Sequence, residues 1–155
     1  MLVPSWVVPV VTLCGSFIVS LSNYGVQRWR YRADRLIISA DQLCNEINLA
    51  ARHASDYWFV DADALPKCRQ VELELIGLQD RLQHLIAAIQ EQDPALDLSD
   101  AGESVMNLFD AMTGGQFRVT SRKFDIVRAG RVYAVAAELN GQLRVAVARR
   151  SRLLW

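Results

Sequence analysis

The chain has 155 residues, with 17 Lys plus Arg balanced by 17 Asp plus Glu, and 52% of its positions are hydrophobic against 22% charged. That balance excludes a disordered chain, and the length allows about one domain, too small for a cofactor domain joined to a separate substrate domain. Its three cysteines, Cys14, Cys44 and Cys68, form no CxxC pair, which argues against a disulfide framework and against a compact zinc site.

The first element is apolar. Met1 to Gln27 holds no charged side chain, and Val7, Val8, Val10, Val11, Leu13, Phe17, Ile18, Val19 and Leu21 crowd its centre. Pro4 to Tyr24 has the length of about 20 residues that a helix needs to cross ~30 Å of hydrocarbon. Trp6 near one end, and Tyr24 with Trp29 near the other, are expected at the two membrane interfaces. Residues 1–27 are therefore read as a transmembrane anchor. The competing readings are a cleaved signal peptide, which calls for a basic region ahead of the apolar run, and a buried core helix. Here the cations follow it: Arg28, Arg30, Arg32 and Arg35 make residues 28–35 a basic juxtamembrane segment. The positive-inside bias then sets the N-terminus outside and the remainder in the cytoplasm, a single pass through the inner membrane. Ser16, Ser20, Ser22 and Asn23, with Cys14 and Gly15, give the span a small, mildly polar stripe that permits close helix contact, although a plain anchor would carry the same residues.

Residues 36–93 read as an antiparallel helical hairpin. Leu36, Ala40, Leu43, Ile47, Ala50, Ala54 and Tyr57 recur at 4-3-4-3-4-3, with a second ridge at Ile37, Cys44, Ala51 and Trp58. No Gly or Pro lies between Gln27 and Phe59, so this helix is expected to continue from the span and to stop near Val60, before Asp61, Asp63 and Pro66. The second arm has Cys68, Val71, Leu75, Leu78, Leu82, Leu85 and Ile89 at 3-4-3-4-3-4 and ends before Pro94. A turn near residue 62 brings residues whose numbers sum to roughly 125 level with one another. Cys44 then lies near Arg81 to His84, and His53 near Cys68 to Glu72.

Residues 94–155 supply a short helix and a basic C-terminal helix. The short one is expected to open at Ser99 or Asp100, with Glu103 completing a capping box, and to close at Gly114-Gly115. Its apolar set is Val105, Met106, Leu108, Phe109 and Met112. Gln116 to Thr120 is a connection, and Ser121 is the expected cap of the last helix, whose stripe is Ala129, Val132, Ala136, Leu139, Leu143 and Ala146. Asn140-Gly141 leaves an alternative open: a hairpin pairing Val132 to Leu139 with Leu143 to Val147. The alanines at 134, 136, 137, 146 and 148 favour helix.

Charge is segregated along the chain. Asp34 to Thr113 carries 15 acidic and 5 basic residues, whereas Arg118 to Trp155 carries 9 basic and 2 acidic. Arg149, Arg150 and Arg152 beside Leu153, Leu154 and Trp155 suit either an interfacial contact with anionic lipid or a basic helix end facing its own dipole. Little aromatic interleaving and a nearby acidic hairpin argue against nucleic acid.

Catalytic signals are weak. His53, His84, Cys44 and Cys68 could meet across the hairpin, but the cysteines sit on apolar stripes as small buried groups do. Thr113-Gly114-Gly115 lacks the Lys-Ser or Lys-Thr of a phosphate loop. No cofactor and no catalytic residue is expected. The sequence thus predicts an all-α protein: one N-terminal transmembrane helix followed by a cytoplasmic antiparallel helical hairpin or bundle. Its partners would be membrane lipid, further copies of itself and an unidentified protein, with Leu43, Ile47, Leu75, Leu78, Leu82, Leu85 and Ile89 as core or interaction seam. The function expected is a tethered, self-associating interaction module. The alternative is a membrane-permeabilising effector of a toxin or phage-defence type system.

Overall fold

A computed structural model describes residues 7–62 and 68–153, with side chains at 15–62 and 68–152. All of its elements are helices: α1 (Val7–Phe59), α2 (Cys68–Gln92), α3 (Ser99–Thr113) and α4 (Ile126–Leu153). No strand occurs among the described residues.

The long helix α1 forms one wall of the bundle and meets every other helix. Its expected stripe from Leu36 to Tyr57 is buried throughout, and of the second ridge Cys44, Ala51 and Trp58 are buried while Ile37 is exposed. Four of the buried α1 residues in that stretch are alanines beyond Leu36, at 40, 50, 51 and 54, and small side chains let α2 and α4 approach the α1 backbone closely.

Contacts between α1 and α2 run in reverse order along the two helices, as a hairpin requires. Ser39 Oγ donates to Gln92 Oε1 (3.0 Å), Arg81 pairs with Glu46 (2.8 Å), and His53 lies 3.9 Å from Glu74. The last contact is two residues beyond the expected register, so His53 faces Glu74 and not the stretch from Cys68 to Glu72. Leu75, Leu82 and Ile89 of α2 are buried, with Leu78 and Leu85 half-buried against the same core.

Helix α4 settles the alternative at Asn140-Gly141. It runs unbroken through both residues, burying Ala129, Val132, Ala136, Leu139 and Leu143 along α1. Gly141 lies on the exposed face and Asn140 Nδ2 donates to Asn48 Oδ1 (2.8 Å), so the turn-forming pair is absorbed on a helix surface at the modest cost of one glycine. The cap differs from expectation. Ser121 lies outside α4, and Asp125 caps it, its Oδ1 accepting from the Arg128 backbone N–H (2.8 Å).

Likewise α3 has Leu98 at its N-cap with no side-chain cap bond; Asp97 accepts from the Ser99 N–H (3.0 Å) and hydroxyl (2.7 Å) just upstream. Its inner face is Ala101, Ser104, Leu108, Ala111 and Met112, which turns Met106 outward. Gly114 ends α3, and Gly115 takes a positive φ of 63°, as a residue closing a helix does.

Buried residues on α1 begin at Ala33. Every residue from Gly15 to Arg32 is exposed, so this part of α1 is an arm that leaves the bundle. Among the described residues no helix is long and apolar enough to cross a membrane. Residues 1–6, with the expected start of the span at Pro4 and its interface residue Trp6, lie outside the described residues, as does Trp155.

Candidate functional site

The bundle has two functional ends, set by helix direction. α1 runs outward from the arm, α2 and α4 run back, and the two ends are therefore chemically distinct.

At the arm end many of the exposed side chains are large and apolar, with Ser20, Asn23 and Gln27 along one side of the helix. Phe17 is 67%, Ile18 63% and Tyr24 64% exposed, with Val19, Leu21, Val26, Trp29 and Tyr31 also open. Single exposed apolar residues are ordinary; a run of them along one helix is an exposed apolar surface. Arg28, Arg30 and Arg32 lie exposed between the arm and the bundle, and the Arg35 guanidinium sits over the Tyr31 ring at 4.5 Å.

The C-terminus of α4 returns to this same end. Arg150 grips Asp93, just past α2, through Nε (2.6 Å) and Nη2 (3.0 Å). Bonds from Arg150 first, with lesser help from Arg32, hold the Asp93 carboxyl below the usual carboxylate range. Arg149 and Arg152 stay exposed beside it. Of the interface residues expected from two distant stretches of sequence, Arg32 and Arg150 meet beside Asp93, while Arg28 and Arg30 precede Arg32 on the arm and Arg149 and Arg152 flank Arg150 on α4. Sequence spacing gave no sign of this convergence, which follows from α4 lying antiparallel to α1.

The seam residues occupy the other role expected of them. Leu43, Ile47, Leu75, Leu82 and Ile89 are buried inside one chain, with Leu78 and Leu85 packed against them. The apolar faces that would have been open to a second copy are covered by α2, α3 and α4 closing over α1.

At the far end, sequence reasoning missed a buried arginine. Arg122, in the α3–α4 connection, is 1% exposed and lies over Tyr57 (4.1 Å) and Trp58 (5.2 Å). Its Nη1 donates to the Val60 carbonyl (2.8 Å), while Nε and Nη2 have no hydrogen-bond partner among the described residues. Around it the connection is tied to the end of α1: Trp58 Nε1 donates to the Met112 carbonyl (2.9 Å), the Asp125 N–H to the Trp58 carbonyl (2.7 Å), and the Phe124 N–H to Asp61 Oδ1 (2.7 Å). Arg128 Nη1 donates to the Gly114 carbonyl, with its guanidinium over Trp58 at 4.7 Å. Outside this lock Phe59, Phe124, Ile126 and Val127 are all exposed, Val127 at 79%. A single exposed apolar residue is ordinary; these four lie on adjoining segments at one tip of the bundle and leave an apolar patch open there.

The chemistry available is limited. Among the described residues no group of three His, Cys, Asp or Glu side chains could hold a metal ion. Burial pushes up the Cys44 thiol, which faces Arg144 of α4 and not a histidine of α2. Burial, reinforced by Glu72, does the same to Cys68, whose Sγ lies 3.5 Å from Glu72 Oε1. A thiol held protonated is a poor nucleophile. Glu72 is buried and accepts from the Tyr57 hydroxyl (3.1 Å), and the Arg118 N–H donates to the same hydroxyl (3.2 Å), so this carboxylate helps fasten α2 to α1. Compared with known proteins, the chain matches no family model, no curated protein and no solved structure.

Proposed function

We propose that this protein is a membrane-tethered helical interaction module without catalytic activity of its own. One observation carries the reading: the arm of α1 from Gly15 to Arg32 extends from the bundle, exposed along its length with large apolar side chains over most of its circumference, and ends in a set of arginines at the bundle. The sequence continues the same apolar character back to Pro4, giving a stretch of membrane-spanning length. The anchor makes a single pass with the bundle on the cytoplasmic side, because the cations cluster on the bundle side of the arm. The apolar tip at Phe59, Phe124, Ile126 and Val127 is the surface offered to a protein partner, at the end furthest from the lipid. Self-association draws its remaining support from the small, polar side of the arm that carries Ser20 and Asn23, now that the bundle seams are closed.

The test is induction of the full chain, and of a version lacking residues 1–27, in living cells, with growth and membrane potential recorded. Normal growth with the full chain in the membrane fraction is the expected result. Rapid depolarisation requiring residues 1–27 would replace the tether with the permeabilising effector.

A further inference from the structure

We propose that the junction between arm and bundle is a binding site for the phosphodiester headgroups of anionic phospholipids, an inference that rests on the tethered reading. A groove of about 470 Å³ opens there, walled by Arg32, Arg35 and Leu36 of α1, by Asp93 and Pro94 after α2, and by Arg150 of α4. Three helices contribute to it, and their arginines reach one place only because α2 and α4 both end at this level.

The height of the groove fits a headgroup. Eight residues of helix separate Tyr24 from Arg32, about 12 Å at 1.5 Å per residue. With Tyr24 at the edge of the hydrocarbon, Trp29 lies in the polar layer of roughly 5–8 Å on that face of the bilayer, and Arg32 stands over its outer edge, where a long guanidinium side chain reaches down to a headgroup. Arg149 and Arg152 on the last turns of α4 lie at the same level, since Arg150 between them holds Asp93.

The balance of charge is cationic. Asp93 is occupied by Arg150, and Asp97 is within the field of Arg149. Glu91 and Asp34 are exposed nearby and oppose an anion. Arg28, Arg32 and Arg152 have no carboxylate partner among the described ion pairs, and Arg35 is engaged by the Tyr31 ring. Arg150 uses Nε and Nη2 on Asp93, which leaves Nη1 to donate into the groove. An arginine that keeps one donor outward while a carboxylate fixes its plane is preorganised for a phosphate oxygen.

The experiment is hydrogen exchange of the full chain in nanodiscs of phosphatidylcholine alone, of phosphatidylcholine with phosphatidylglycerol, and of phosphatidylcholine with added inorganic phosphate. Amides in the last turns of α4 and in residues 93–97 should exchange several-fold more slowly with phosphatidylglycerol only, with high salt reversing the effect. Arg32→Gln with Arg35→Gln, both exposed and outside the core, should abolish that protection, since each arginine beside an anionic surface is worth roughly fivefold. Equal exchange in the two lipid compositions, or protection that survives the double substitution, overturns the site while leaving the tether intact. Protection by inorganic phosphate in zwitterionic discs overturns the lipid as its source. A chain that enters neither type of disc overturns the tether and the site with it.

Discussion

Arg122 allows a quantitative test of how the far end of the bundle is held. Replacing it with alanine removes a charge-assisted bond to the Val60 carbonyl, about 1.5–3 kcal/mol, and a desolvated cation–π contact with Tyr57 and Trp58, about 2 kcal/mol. Against these stands the several kcal/mol of desolvation that the buried guanidinium costs, with Nε and Nη2 unpartnered and no carboxylate paired to it among the described residues. The two sides roughly cancel, and what remains is volume. Emptying a side-chain site that is 1% exposed costs about 2–5 kcal/mol. Arg122→Ala should therefore destabilise by about 3 kcal/mol, whereas Arg122→Met, which refills the space without the charge, should cost about 1 kcal/mol or less. At about 2–4 °C per kcal/mol for a chain of this size, the melting temperature falls by about 6–12 °C for alanine and by less than about 4 °C for methionine. Thermal unfolding followed by circular dichroism in a non-ionic detergent reads both. Methionine as damaging as alanine would show that the charge, and not the volume, holds this end. A silent alanine would refute the packing altogether.

Gly141→Ala should stabilise α4 by about 1 kcal/mol, because the glycine is mid-helix and an added Cβ meets nothing within 4 Å; a loss of stability in the same melt would argue for a turn at Asn140-Gly141. Asp93, with its pKa depressed by Arg150, adds stability above its unfolded pKa of about 3.9, lost as pH falls through the lower folded value. Asp93→Asn should therefore flatten the acid limb of the stability curve below about pH 4 and leave an equal loss at neutral pH, about 1–3 kcal/mol for a bidentate charged bond; an unchanged acid limb counts against the pair. Ile18→Asp touches no packed neighbour and should leave the bundle's stability within about 0.5 kcal/mol. In the bilayer it should raise the cost of insertion by up to about 3–4 kcal/mol, seen as a shift of the chain out of the membrane fraction; retention there would contradict a span that includes residue 18.

Much of the fold was legible because helix periodicity is local. The stripes on α1 and α4 name the buried residues almost one for one, that on α2 contains its buried Leu75, Leu82 and Ile89 among partly buried neighbours, and the absence of Gly and Pro from Gln27 to Phe59 marks an unbroken helix. Asn140-Gly141 was ambiguous because a turn signal and a helical stripe overlap there, and only packing along α1 decides between them. The caps of α3 and α4 were misplaced by a few residues because several Ser and Asp side chains compete near each start, and the path of the chain selects one. The role of the leucine seams was less legible. Periodicity marks an apolar face but cannot tell whether its partner is another helix of the same chain or of a second copy. The site was legible only in parts. The arginines of residues 28–35 and 149–152 stood out as two basic stretches, yet their meeting around Asp93 depends on the direction of α4. Arg122 carried no signal, since arginine in a polar connection ordinarily faces water.

The tether is tested most directly by alkaline carbonate extraction of membranes from cells making the full chain or residues 28–155. The shorter chain keeps every buried residue of the bundle, which begin at Ala33, and should be recovered helical in the supernatant. The full chain should remain in the carbonate-resistant pellet. A full chain that leaves with the supernatant would contradict a membrane-spanning arm and with it the account of this protein as a tethered module.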